Sequence, residues 1–444
     1  MRIVYGREES RDALLTGRGM GLDSAPASIL ESTKAAFGKA MTPLETAQYI
    51  IARVRESGDD AVRDITRRLD GVELGDLQVP SSAIEKAYDE VDAEVIDALR
   101  LAAERVRRFQ EKSMPESWVD YGEGYGELVN PVERVGVYVP GGTARFPSTV
   151  LMAVIPARVA GVDEIIVATN PGVDRGVHPV VLVAADIAGA DRVIQIGGAQ
   201  AVAAMAYGTE SVPRVDMVCG PGGLFTTLAK KLVFGEVGVD GLYGPTETLV
   251  IADEDANPTL CAADLLAQAE HDILAKPVLI TTSDALADNV NSEIEVRLRR
   301  LDRSEMAARS VEEQGLIAVV ADLEEAFELA NAFAPEHVSL MVRDPWSHVG
   351  SVRNAGAVFL GDFSHEVLGD YVAGPSHVMP TSGTARFGSG LSVRSFLKFS
   401  PVVGLSERRA AEISHAASVL GRAEGLTAHA EAAEIRDELS DEER

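Results

Sequence analysis

Two potential metal ligands, Gln268 and His271, stand three residues apart in an apolar stretch that reads as a helix from Ala262 onward. Residues i and i+3 share one helical face, so a carbonyl oxygen and an imidazole nitrogen could aim at one point. Alone the pair is weak, because glutamine is an uncommon zinc ligand and a histidine beside acidic residues serves equally well as a hydrogen-bonded surface group. Further groups of the same kind lie downstream. Glu336-His337 follows Ala-Pro335 at the start of a strand. One of the two could accept a hydroxyl proton while the other activates water, since burial can bring both types toward neutrality; the alternative is an edge salt bridge. Asp370 and His377 fall in a stretch punctuated by Gly369, Gly374 and Pro375, either a loop held over a site or a plain turn. Glu424 and His429 lie in a polar C-terminal segment with no core of its own, where a histidine has no packing duty and solvent exposure is the simple alternative. Cys219 and Cys261 could attack an aldehyde, but each sits in an apolar run where cysteine behaves as a small hydrophobe, and both read as inert.

These residues need a scaffold, and the alternation of β-branched runs with alanine-rich stretches from Val135 onward supplies one. Strands are expected at 134–139, 164–169 and 192–196, and helices at 148–160, 178–188 and 199–207. That is one strand and one helix per roughly 28 residues, the size of a βαβ unit, and right-handed crossovers would set the strands parallel. A second series has strands at 248–252, 277–282, 316–320, 337–342 and 357–360, with helices around Gln268 and at 323–332. Residues 1–24 are polar without a clear alternation, 80–112 carry one long amphipathic helical pattern, and 406–444 are helix-forming with few large apolar positions. The fold class expected is α/β: two Rossmann-like parallel-sheet domains in tandem, one inserted in the other, with a small N-terminal arm and a helical C-terminal arm.

Three glycine-rich turns, Pro140-Gly-Gly142, Gly197-Gly-Ala-Gln200 and Gly220-Pro-Gly-Gly223, each follow a strand and precede a helix. They put permissive backbone at the carboxyl ends of parallel strands, where α/β proteins bind ligands. None is G-x-G-x-x-G, and each could be only a tight turn, yet three along one sheet edge favour a nucleotide pocket. Gly17-Arg-Gly-Met-Gly21 has no preceding strand of useful length and reads as a loop.

Composition sets bounds. At 444 residues the chain can hold two or three cores, and a formal net charge of -28 opposes binding to nucleic acid or an anionic membrane. Two cysteines without C-x-x-C spacing support neither a disulfide framework nor a thiolate zinc finger. The N-terminus lacks a basic-then-apolar signal, and the most apolar run, 150–155, stops at Pro156, far short of a membrane span. A cytoplasmic protein, neither exported nor anchored, is expected.

Seven segments in order, Val135-Gly-Val-Tyr-Val-Pro-Gly-Gly142, Gly197-Gly-Ala-Gln-Ala201, Ala263 to His271, Ala334-Pro-Glu-His-Val338, Gly369-Asp-Tyr371, His377-Val-Met-Pro380 and Glu424 to His429, resemble the histidinol dehydrogenase family, enzymes of the last two steps of histidine biosynthesis. The resemblance covers nearly the whole chain. It implies one zinc ion per subunit, held by Gln268, His271, Asp370 and His429 of the partner subunit, in a homodimer with shared active sites. It implies Glu336 and His337 as the acid/base pair, and Thr246, Gln268, His271, Glu336, His337, Asp370, His377, Glu424 and His429 as contacts to L-histidinol. NAD contacts fall on Tyr138, Gln200 and the position of Gly223. The corresponding division is an N-terminal arm (1–24), a first α/β domain with the metal and acid/base residues (25–134 and 245–391), a nucleotide-binding second domain (135–244) and a C-terminal dimerisation arm (392–444). Two departures are visible: the family commonly has Ser at Thr246 and Asn at Gly223, so an added methyl meets the substrate and a side-chain amide toward NAD is missing. The implied chemistry is a four-electron oxidation of L-histidinol to L-histidine, with His337 taking the hydroxyl proton, Glu336 activating water on the aldehyde, and two NAD accepting hydride. An all-N/O ligand set completed by substrate would also accept Mn or Co. A relative of the same fold that oxidises a sulfonated diol is disfavoured, because Glu336, Asp370 and Glu424 suit a cationic amino alcohol; a binding-only protein would not need both Glu336 and His337.

Overall fold

The structure, a computed structural model, describes residues 1–22, 27–141, 145–172 and 176–442, so Gly142 of the first glycine turn lies outside the described residues. The chain divides into two units, residues 1–113 with 132–396, and residues 114–131 with 397–444.

The first unit opens on a strand, β1 (Arg2–Tyr5), and a helix, Arg7–Leu15, where the sequence shows no alternation. The strand is a short edge strand, paired in parallel with a later one, and its four residues are too few and too exposed to register as a hydrophobic pattern. The amphipathic stretch 80–112 is two helices, Ser81–Glu90 and Ala93–Lys112, broken at Val91-Asp92. Neither Gly nor Pro marks that break, so periodicity alone runs straight through it. In chain order, β2 (Trp118–Asp120) and β3 (Tyr125–Pro131) belong to the second unit, and the first resumes with β4 (Arg134–Val139), β5 (Glu164–Thr169), β6 (Arg192–Ile194), β7 (Met217–Cys219) and β8 (Gly238–Val239). These form a five-stranded parallel sheet in the order β6-β5-β4-β7-β8. Every residue of β5 after Glu164 is buried, as the near-continuous Ile-Ile-Val-Ala run of a strand covered on both faces requires. The order reverses at β4, so the turns after β4 and β7 diverge there and open the crevice in which such sheets take ligands.

The remaining strands of the unit are β9 (Glu247–Ala252), β10 (Lys276–Thr281), β11 (Leu316–Val319), β12 (His337–Met341) and β13 (Ala357–Leu360). With β1 they build a six-stranded sheet, β1-β11-β10-β9-β12-β13, parallel throughout. One buried cluster, centred on Leu265, Leu279 and Val290, and another, on Ile251, Phe327 and Phe333, sandwich it. Two Rossmann-like parallel sheets in one chain are the architecture expected.

The second unit contains a small antiparallel sheet, β14 (Leu397–Val403) against β3, and β3 against β2. Its two helices, Glu407–Ala423 and Thr427–Glu442, pair as a hairpin. Gly421 permits the close approach, since a Cβ there would stand 3.1 Å from the Ala430 nitrogen, and Arg422 forks onto Glu434. Among the described residues no helix is long and apolar enough to cross a membrane.

Candidate active site

The acid/base candidates stand where two central strands begin. β12 pairs with β9 so that His337 lies opposite Thr248, which sets Glu336 beside Glu247 and Thr246. Ligand sites of parallel sheets usually occupy the carboxyl ends; this one is built at the amino ends of the six-stranded sheet. The Glu247 backbone serves both residues. Its N–H donates to Oε2 of Glu336 at 3.1 Å, and its carbonyl lies 3.0 Å from Nδ1 of His337. A carbonyl only accepts, so Nδ1 carries a proton, and Nε2 faces the carboxylate oxygen Asp370 Oδ1, 3.3 Å away, to which it donates when the ring is protonated. Phe359 of β13 stacks on the imidazole with ring centroids 5.9 Å apart. Gly369 gives that phenyl room, because a Cβ there would come within 2.6 Å of it.

Both residues are nearly closed off, Glu336 being 7% and His337 2% exposed. Burial pushes the Glu336 carboxyl up to about 7, while the His337 imidazole, the Thr246 hydroxyl and the Glu247 N–H pull the other way. Burial works to lower His337, but the Glu336 carboxylate, the Asp370 hydrogen bond and Glu366 outweigh it and raise the imidazole to about 10. The Thr246 hydroxyl stands 2.6 Å from Oε2 of Glu336 and 2.9 Å from Oε1 of Gln268, with one proton for the two acceptors. Thr246 thus ties the acid/base residue to the expected metal ligand.

Gln268 is buried in the last turn of the helix Pro258–Ala269. His271 is not on that helix, as its sequence spacing suggests, but in the turn just past it. The helical path persists, with His271 N–H bonded to the Gln268 carbonyl at 3.1 Å, so the two side chains remain neighbours. Asp370 lies in a six-residue helix, Glu366–Tyr371, rather than in a loop; Gly369 inside so short a helix reads as a turn. Burial opposes the charge of Asp370, and the His337, His377 and His271 imidazoles together hold its pKa below the usual carboxylate range. Desolvation lowers His271, with Asp370 opposing. His377 does lie in a loop. Its Nδ1 donates to the Asp370 carbonyl at 2.7 Å, and its Nε2 is 3.0 Å from the Thr149 hydroxyl. Burial lowers its pKa, and a neutral ring that donates at Nδ1 and accepts from Thr149 satisfies both bonds.

Three participants escaped the sequence. Thr149, in the helix after the first glycine turn, is one. Glu366 is another: fully buried, it accepts the Thr248 hydroxyl at 2.6 Å, leaves Oε1 without a partner, and is pushed up to about 8 chiefly by burial. The third is Asn170, directly after β5 and so at the carboxyl edge of the five-stranded sheet, a position that the topology of α/β sheets flags. Its Oδ1 accepts from the Tyr138 hydroxyl at 3.1 Å and from Gly141 N–H at 3.3 Å, and Tyr138 in turn accepts Gly198 N–H at 3.1 Å. A Cβ on Gly197 would fall 1.7 Å from the Asn170 amide nitrogen, so that glycine is a packing requirement. Tyr138 and Gln200 are therefore brought to one edge, where Gln200 Oε1 is buried without a hydrogen bond. Gly223 caps the helix Leu224–Val233 with open space around its absent Cβ. The turn before it is clamped from below: Gly220 N–H donates to Asp240 at 2.8 Å and its carbonyl accepts Lys230 at 2.8 Å.

Glu424 and His429 belong to the second unit. Glu424 ends the helix Glu407–Ala423, His429 lies in the first turn of the next, and both side chains are exposed. The contacts above join residues of the first unit only. Among the described residues, no group of three or more His, Cys, Asp or Glu side chains is arranged to hold a metal ion. Cys219 and Cys261 are both buried, and burial pushes the first thiol well above its usual pKa and the second up to about 12, which makes both poor nucleophiles.

A family model described as histidinol dehydrogenase matches residues 36–437. The histidinol dehydrogenase of Deinococcus radiodurans is 49% identical over 440 residues, covering 98% of this chain and 100% of that one. That of Thermus thermophilus is 49% identical over 437 residues with the same coverage. The crystal structure of histidinol dehydrogenase from Elizabethkingia anophelis superposes with a TM-score of 0.89 at 31% identity, covering 99% of each chain.

Proposed function

From the premise that this chain belongs to the histidinol dehydrogenase family, we propose that it oxidises L-histidinol to L-histidine at the site around Glu336 and His337, with zinc and two molecules of NAD. One observation carries the reading. The backbone of one residue, Glu247, orients an acid and a base side by side, and the Thr246 hydroxyl connects Glu336 to Gln268. The donor chemistry fits a borderline divalent cation. Gln268 offers an amide oxygen, His271 is biased toward its neutral form and Asp370 toward its ionised form, the protonation states that ligation requires. We assign Gln268, His271 and Asp370 of one subunit, with His429 of the partner subunit, as the set that would hold the ion, which when bound supplies a template for the imidazole and amine of the substrate.

The protein's own groups carry the protons. His337 takes the hydroxyl proton at Nε2, the nitrogen not engaged by the Glu247 carbonyl, as hydride passes to the nicotinamide; the ring must then be neutral, and Asp370, which holds Nε2 in this structure, would be engaged by the metal instead. The Glu336, Asp370 and Glu366 carboxyl groups favour the protonated ring, so the neutral form able to accept a proton becomes commoner as pH rises. Glu336, poised near 7, then removes a proton from water attacking the aldehyde, and the second hydride transfer gives the carboxylate. Near-complete burial of both groups keeps the intermediate away from bulk water. Tyr138, Gln200 and the Gly223 turn, at the crevice where the five-stranded sheet reverses order, are the proposed nucleotide contacts. Glu424 and His377 are proposed to meet the substrate, and residues 392–444 to form the arm of a homodimer with shared sites. A cytoplasmic setting suits the two free thiols.

Purified chain supplied with zinc, NAD and L-histidinol should form about two NADH per histidine. Metal-replete protein inert with histidinol but active on another alcohol would replace this reading.

A further inference from the structure

Arg18 sits in the glycine-flanked segment Gly17–Gly21, to which no role has so far attached, and its side chain is only 7% exposed. Its guanidinium grips the first residue of β9 and the end of the helix Leu323–Phe333. Nη1 donates to Oε1 of Glu247, and Nη2 donates to Oε2 at 2.7 Å, a two-pronged bond. Nε donates to the Phe333 carbonyl at 2.9 Å, and Nη2 also reaches the Ala334 carbonyl at 3.2 Å. The guanidinium carbon lies 3.6 Å from the centroid of the Phe333 ring.

Both anchored points border the acid/base pair. Glu247 is the residue whose backbone orients Glu336 and His337, and Phe333-Ala334 directly precede Pro335-Glu336. Ala334 has φ 51, a left-handed conformation that costs a non-glycine residue free energy, and Arg18 holds the carbonyl of that strained residue. Stability alone does not call for such a pair, since apolar side chains of similar size commonly serve as well as a buried ion pair. The geometry of the fork matters instead: a guanidinium meets one carboxylate with two parallel bonds and still has donors for two carbonyls, which an ammonium does not.

We propose that Arg18 is a positioning residue for the reaction: by tying the start of β9 to the turn before β12, it fixes Glu336 and His337 relative to Thr246 and Gln268. The inference rests on the reading of Glu336 and His337 as the acid/base pair. Two variants of the full-length protein test it. Arg18→Lys keeps a cation opposite Glu247 but loses the fork, and the double variant Arg18→Met with Glu247→Gln removes both charges together, so neither leaves a buried carboxylate unpaired. For each, kcat and the KM values for histidinol and NAD are measured beside the thermal midpoint, and amide hydrogen exchange is followed in peptides covering 245–249 and 333–338. The expected result is a folded protein with kcat lowered about tenfold to a hundredfold, as small misplacements of reacting groups produce, KM values little changed, and faster exchange confined to those two peptides. A folded variant with kcat within about twofold of the parent, or with unchanged exchange in both peptides, would overturn the proposal. A lowered thermal midpoint without loss of kcat would do the same, because it marks a purely structural role. If the parent protein turned over no histidinol, the functional reading would fall, while the exchange data would still decide whether Arg18 holds the two segments together.

Discussion

Replacing Glu336 by glutamine separates the two halves of the reaction, and the structure sets the size of the effect. Oε2 of Glu336 accepts the Thr246 hydroxyl at 2.6 Å and the Glu247 N–H at 3.1 Å. The amide oxygen of glutamine can accept both bonds, so the side chain should stay where it is. What disappears is the second carboxylate oxygen as a proton acceptor, because an amide NH2 only donates. The loss is then that of general-base catalysis, roughly 10²- to 10⁴-fold, or about 2.7 to 5.4 kcal/mol at ~1.36 kcal/mol per tenfold. It should fall on the step that consumes water. Oxidation of supplied L-histidinal, followed by NADH absorbance, should slow by that factor, while the first hydride transfer from L-histidinol, measured in a single turnover, should change far less. A pH profile adds an independent reading. A base must be deprotonated to act, so the parent rate on histidinal should rise with pH through about 7, where burial has raised Glu336, and Glu336→Gln should lose that limb. Equal losses in both half-reactions, or a limb near 7 that survives the substitution, would refute the assignment.

His337→Asn should impair alcohol oxidation by roughly 10²-fold or more, measured as the single-turnover rate of the first NADH; a variant slowed only on histidinal would contradict it. Inactive His429→Ala subunits mixed with inactive His271→Ala subunits should recover activity after subunit exchange, since one site of each heterodimer would have a full ligand set; no rescue despite proven heterodimers would show that the arm serves its own chain. Gly223→Asn should tighten NAD binding by roughly three- to tenfold, the worth of one hydrogen bond, with no loss of thermal stability because nothing lies within 4 Å of the added Cβ; calorimetric titration with NAD would check it.

The strands at 134–139, 164–169 and 357–360 were legible to the residue, because parallel strands covered on both faces are near-continuous apolar runs bounded by turns. The small sheet of β2, β3 and β14 was not, since its residues are mostly exposed and antiparallel pairing leaves no run to see. Of the site, the edge proposed to take the nucleotide was partly visible because glycine turns after strands have a positional meaning. Glu336 and His337 were visible as adjacent titratable groups at the start of a strand but not by that rule, because they lie at the amino ends of their sheet; the resemblance to known sequences was what favoured an acid/base pair over an edge salt bridge. Arg18 and Glu247 are 229 residues apart, and the Thr149–His377 contact spans 228. Nothing local in a sequence marks such partners, and only the crossing of strands brings them together.

The Glu247 backbone has a consequence for any attempt to map this site by substitution. Its N–H and its carbonyl survive exchange of the Glu247 side chain for almost any other, so a scan of all amino acids at that position reports on the Arg18 ion pair and stays silent about the group that aims both Glu336 and His337. Proline is the one genetically encoded residue that deletes the amide hydrogen, and it would disturb the strand as well. Replacing that single amide by an ester through chemical ligation would remove the donor to Glu336 and leave the acceptor for His337 in place. Because the two contacts leave from either side of one Cα in a paired strand, a slide of β9 along its neighbours would displace both side chains at once, and the two proton transfers proposed for them would lose alignment together.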